Sequence, residues 1–275
     1  MTHRWGNGTA NVPRKDVRRR MSQDDRTPEQ PADPHALPGA GAEQNAIAQA
    51  VTDQAATDEN GGRANWREPV LIGLFILCLL PELVLSGADW QLWGDPRWRT
   101  VAVQNAGFWA GLLDNWRPNY ALQPWTMFLT YGFLHAGAVH FLVNMMTLFS
   151  LGAPLADRFG RRGFALIYAT SIIGGAVGFA LLSSQVLPMV GASGALFGLA
   201  GAHVALHYRD RRTSHDTLMP VARTLAGLVA LNLVLWWAMA GQLAWETHLG
   251  GFVTGWWAAL SLERRAERAN AALRR

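Results

Sequence analysis

The chain has 275 residues, half of them hydrophobic, with 13 tryptophans, a single cysteine and a formal net charge of +4. One cysteine excludes an internal disulfide, and basic residues that flank apolar runs rather than forming one patch exclude nucleic acid as the reason for the charge. Composition divides the chain in two: residues 1–65 are polar, and the remainder has the make-up of a membrane protein.

The first region clusters Arg, Asp, Gln, Pro and Ala without apolar periodicity. It cannot bury enough surface to offset the entropy of ordering, so a disordered cytoplasmic tail is expected over 1–65. No apolar stretch follows Arg18-Arg19-Arg20 at the spacing of a signal peptide. From residue 66 onward, six apolar segments recur near the roughly 17–25 residues needed to cross a bilayer. Their cores are 68–87, 132–152, 163–183, 193–208, 218–238 and 243–262, with Cys78 inside the first. The stretch 88–130 is predicted to be interfacial, because Trp90, Trp93, Trp98, Trp109, Trp116 and Trp125 suit the headgroup zone. Of the 24 Lys and Arg residues, all but Arg97, Arg99 and Arg117 fall on one side of this topology. Retention of basic residues in the cytoplasm then places both termini there, and segments two, four and six run from outside to inside. The predicted fold class is all-α: a polytopic six-transmembrane-helix bundle over 66–264, with the tail before it and a short basic cytoplasmic C-terminus over 265–275.

Strongly polar side chains within lipid cost a few kcal/mol or more and face the bundle interior. His135, His140 and Asn144 in segment two, Ser193 at the head of segment four and His248 in segment six all lie in the outer half of outside-entering spans. They share a depth. His140 and Asn144 are four apart and project from one helix face, whereas His135 lies on another and is expected to serve the loop. Gly191-Ala192-Ser193-Gly194 puts a hydroxyl at a helix start, where free backbone N–H groups and the helix dipole favour an anion. Acyl transfer generates one. Gly251 and Gly255 after His248, and Gly194, Gly198 and Gly201 after Ser193, form small-residue faces that let two helices approach closely.

These residues resemble the rhomboid intramembrane serine proteases over roughly 68–262. The resemblance rests on His135-x4-His140-x3-Asn144, Gly191-Ala-Ser193-Gly194 and His248-x2-Gly251-x3-Gly255. It implies a Ser193/His248 dyad, an oxyanion hole from His140, Asn144 and the Ser193 backbone N–H, and no metal or cofactor. Phe197 stands where the family has an aromatic packed on the catalytic imidazole. The family precedent also implies lateral substrate entry near Trp236-Trp237 and a covering loop over 239–247. Two departures bear on loop architecture: Ala156, beside Asp157, replaces an acidic residue, and the Trp-Arg pair is Trp125-Thr126 here, with Trp116-Arg117 upstream. Glu246 is two residues before His248 and points away on a helix, so a dyad is expected rather than a triad.

The expected function is hydrolysis of peptide bonds in or beside transmembrane segments of membrane-protein substrates. The expected location is the bacterial inner membrane, because the tail lacks the acidic-poor composition of an organelle presequence, with the active site opening outward. The main rival is a catalytically silent member of the same fold that binds transmembrane clients, which should lack Ser193 or His248. A metal site on His203 and His207, which are i,i+4, is a second rival without a supporting Cys or carboxylate cluster. A soluble α/β-hydrolase is excluded by the six spans and by the lack of Gly-x-Ser-x-Gly.

Overall fold

The computed structural model describes residues 67–274; the tail expected over 1–65 lies outside the described residues. Among these, seven α-helices form: α1 Pro69–Asp89, α2 Trp98–Ala106, α3 Gln123–Thr130, α4 Ala138–Leu182, α5 Ser193–Thr213, α6 Met219–Ala238 and α7 Trp245–Leu273. Short 3-10 turns occupy Ala110–Leu113 and Tyr131–Phe133. The β-structure described is a single antiparallel bridge between Phe108 and Met189.

By length and composition, α1, α4 and α6 suffice to cross a membrane. The 45-residue α4 is broken at Gly160, whose φ of 66° only glycine adopts at ease. Each half then runs about 22 residues, or about 33 Å at ~1.5 Å per residue, against a hydrocarbon core of about 30 Å. The sequence predicts a loop over 153–162, but the helix continues through it apart from this one residue. Charge does not end the helix here because partners meet it: Arg158 Nε donates to Glu263 on α7 at 2.6 Å, and Arg161 Nε to Glu68 ahead of α1 at 3.0 Å.

The sequence also predicts that segment two begins at 132, whereas α4 starts at Ala138. Residues 131–133 wind as a 3-10 turn and Gly137 takes φ 147°, so the chain bends before the helix begins. His135 is therefore in a turn rather than on a helix face. Helices α5 and α7 outrun their apolar cores, to Thr213 and Leu273, so the basic stretch from 265 to 273 continues α7. Within 88–130, Trp90, Trp93, Trp98, Trp116 and Trp125 are exposed and Trp109 is half-buried.

Helices α5 and α7 pack against one another and against α4. A Cβ at Gly251 would collide with the carbonyl oxygen of Gly194, and one at Gly255 with that of Gly198. The two helices thus meet backbone to backbone along the small-residue faces. Behind them Leu148, Phe164, Ile167 and Leu199 are fully buried. Helix α6 stands apart from this core: of its residues only Val221 is buried.

Candidate active site

Ser193 is the first residue of α5, so its side chain sits beside the unpaired N–H groups of the first helical turn. The loop before it is tied at two points. Met189 and Phe108 exchange backbone hydrogen bonds at 2.9 Å, and the Gly191 N–H donates to the Tyr131 carbonyl at 2.9 Å. Gly191 has φ 127°, and a Cβ there would lie 2.7 Å from His140 Cε1. Backbone conformation and close approach both call for glycine at this position.

His248 is on the first turn of α7, and its Nε2 is hydrogen-bonded to Ser193 Oγ at 3.0 Å. The Phe197 ring, one turn beyond Ser193, stacks on the imidazole with centroids 4.0 Å apart and planes 9° from parallel. His140 and Asn144 on α4 border the Gly191 turn that leads into Ser193. The point where a Gly191 Cβ would stand is 2.9 Å from His140 Nε2 and 3.6 Å from Asn144 Nδ2. The Ala136 N–H donates to His140 Nδ1 at 3.4 Å, which leaves Nε2 to carry the proton and face the site. Asn144 Nδ2 is buried with no hydrogen-bond partner. A buried donor left open costs free energy, and here it is available to an acceptor that arrives during a reaction. Gly194 abuts Thr247 and Tyr131, which fixes the start of α5 against α7.

His135 does not join this group through its ring nitrogens, which are buried without partners. The ring packs edge-on against His140 at 5.2 Å and Phe141 at 5.5 Å. The i,i+4 pair elsewhere has separate partners: His203 Nε2 is bonded to the Leu151 carbonyl at 2.8 Å, and Arg211 Nε donates to His207 Nε2 at 2.9 Å. Beside His248, between α6 and the α5–α7 pair, lies a cavity of about 550 Å³ lined by Phe197, Asn232, Trp236, His248, Leu249 and Phe252. Trp236 lines it and Trp237 does not, and both rings are exposed.

A family model, the rhomboid domain, matches residues 122–265, more than half of the chain. The chain belongs to the rhomboid family. It is 37% identical over 170 residues to RHOMBOID-like protein 2 of Arabidopsis thaliana, covering 62% of this chain and 47% of that one. It is 30% identical over 138 residues to Rhomboid protease GluP of Bacillus subtilis, covering 50% of this chain and 26% of that one. Putative rhomboid protease YdcA of the same bacterium is 28% identical over 188 residues, covering 66% and 89%. The chain thus spans less than half the length of the Arabidopsis relative. Family membership together with three long apolar helices makes this an integral membrane protein of a family that includes bacterial proteases.

Two polar contacts of the site are unforeseen in the sequence. Asn232 of α6 places Oδ1 2.6 Å from His248 Nδ1. Arg99 of α2 donates to the His135 carbonyl at 2.6 Å and to both carboxylate oxygens of Glu82 on α1, at 2.9 and 3.0 Å. The signal was present: Glu82 and Asn232 are polar residues inside apolar segments one and five, the criterion that selects His140 and Asn144.

Proposed function

We propose that this rhomboid is an intramembrane serine endopeptidase that cleaves peptide bonds in or next to transmembrane segments of membrane-protein substrates. The observation that carries the reading is the 3.0 Å Ser193–His248 hydrogen bond at a helix start, with the open Asn144 donor beside it. Ser193 Oγ attacks the substrate carbonyl carbon as His248 Nε2 takes the hydroxyl proton. The carbonyl oxygen becomes an oxyanion, held by His140 Nε2–H, Asn144 Nδ2–H and the Ser193 backbone N–H. His248 returns the proton to the leaving amine as the C–N bond breaks, and water then hydrolyses the acyl-enzyme by the same base.

In this reading α1, the two halves of α4, α5, α6 and α7 are six crossings, with both termini cytoplasmic and the site opening outward, in a bacterial inner membrane. The positive-inside distribution of Lys and Arg supports that orientation. The test compares purified wild type with Ser193→Ala and His248→Ala on a generic transmembrane substrate. Both variants should lose cleavage, and Asn144→Ala should lower the rate by about 10²–10³. Undiminished cleavage in either dyad variant overturns the mechanism.

A further inference from the structure

We propose that Asn232 is a positioning residue that fixes the tautomer of His248 and so keeps its Nε2 free to act as the base toward Ser193; this rests on the dyad reading above. The amide's orientation follows from its other end. Asn232 Nδ2 donates to the Leu228 carbonyl one turn earlier, at 2.9 Å. Oδ1 is then the atom that faces His248 Nδ1 at 2.6 Å, and an amide oxygen only accepts. His248 must therefore carry its proton on Nδ1, which leaves the Nε2 lone pair directed at Ser193 Oγ. The alternative tautomer would put a proton on Nε2 and two acceptors, the lone pair of Nδ1 and Oδ1 of Asn232, against each other. It could not take the serine proton.

The surroundings make this bond selective. Asn232 projects from a helix that buries only Val221 into a cavity in which every lining residue but Asn232 and His248 is apolar or aromatic, Leu228, Leu233 and Leu249 among them. A polar group among such residues is held strongly to the partners it has. The imidazole is then gripped from three directions: Ser193 at Nε2, Asn232 at Nδ1 and the Phe197 ring across its face. A neutral amide aligns the ring and stabilises the imidazolium that forms, without adding a negative charge to an apolar cavity.

The experiment uses the full chain in proteoliposomes, with Asn232→Leu and Asn232→Asp, each assayed for kcat and KM on a transmembrane substrate. Asn232→Leu should lower kcat by about ten- to hundred-fold at unchanged KM, the loss of one hydrogen bond to a group that becomes charged in the transition state. Asn232→Asp, held as the neutral acid by the apolar cavity, replaces both bonds, its O–H donating to the Leu228 carbonyl and its carbonyl oxygen accepting from His248 Nδ1, and should recover most of kcat. Loss in both variants, or in neither, overturns the proposal. A second readout needs no turnover: the ring-nitrogen resonances of 15N-histidine-labelled protein, with His248→Ala identifying the signal. Wild type should show His248 protonated on Nδ1, and Asn232→Leu should shift it toward Nε2. An unchanged ring signature overturns the positioning role even if activity falls. If Ser193→Ala still cleaves, the dyad reading fails, while the ring signature continues to report on Asn232 alone.

Discussion

Replacing Arg99 with methionine tests whether the polar network outside the proposed dyad holds the turn at His135. All five guanidinium N–H groups are engaged: Nε with Asp89, Nη1 with Glu82 and the His135 carbonyl, and Nη2 with Glu82 and Ser86. The Glu82 side chain is 5% exposed and that of Arg99 14%. Arg99→Met leaves a buried carboxylate with the Ser86 hydroxyl as its remaining partner. Breaking one side of a buried pair costs about 3–5 kcal/mol, and the more exposed Asp89 contact adds at most about 1 kcal/mol. The double variant Arg99→Met/Glu82→Leu removes the stranded charge and should regain more than half of the lost stability. It still leaves the His135 carbonyl without its donor, so the turn that leads into α4 and His140 stays loosened and cleavage stays low. The assay is denaturant unfolding in mixed micelles beside substrate cleavage. A loss below about 1 kcal/mol for the single variant, the size of an exposed pair, would refute the network's structural role. So would a double variant no more stable than the single.

Glycine substitutions should have opposite signs on the two sides of the bundle. Gly251→Ala drives a methyl group into the Gly194 carbonyl; it should cost about 1–3 kcal/mol or more and abolish cleavage by displacing Ser193 from His248. Gly227→Ala in α6 meets nothing within 4 Å and should stabilise by up to about 1 kcal/mol, measured by the same unfolding assay. At the far end of α7, partial burial alone would raise the Glu263 carboxyl, but the bonds and charges of Arg158 and Arg209 outweigh it and hold it below 4.5. A folded-state pKa below the unfolded one contributes stability above the unfolded value and loses it as pH falls through the folded one. The stability gap between wild type and Glu263→Gln should therefore be constant above about pH 5 and close below about 4.5, as unfolding titrations at stepped pH would show.

How much of this was legible in sequence follows from the range of each interaction. The six apolar stretches, the serine at a helix start and the His140/Asn144 spacing are local patterns, and local periodicity carries them. The helix boundaries around Gly137 and Gly160 were missed because a single positive φ, 147° at one and 66° at the other, turns the chain without a run of loop residues. Asn232 and Glu82 were missed for a different reason. Each is one polar residue in an apolar run, and its meaning depends on partners 16 and 17 positions away on other helices. Counting Arg97, Arg99 and Arg117 by membrane side gave an orientation but no pairing, since charge bias is a sum and a hydrogen bond is a geometry.

Both unread contacts end on a histidine-bearing turn. Arg99 holds the carbonyl of His135, one residue before the Ala136 N–H that sets His140, and Asn232 holds Nδ1 of His248. Each reaches its histidine from a helix outside the α4–α5–α7 core. The polar cost of Glu82 and Asn232 within apolar segments is thus offset by bonds that reach the His135 turn and the His248 ring, which in the proposed mechanism hold one imidazole near the oxyanion and the other toward Ser193. Loss of Arg99 should accordingly depress kcat through the proposed oxyanion donors while leaving the His248 ring signature unchanged, and loss of Asn232 should move that signature while leaving the stability contributed by the Arg99–Glu82 pair intact. Cross-effects between the two variants would show that the sites share a single support.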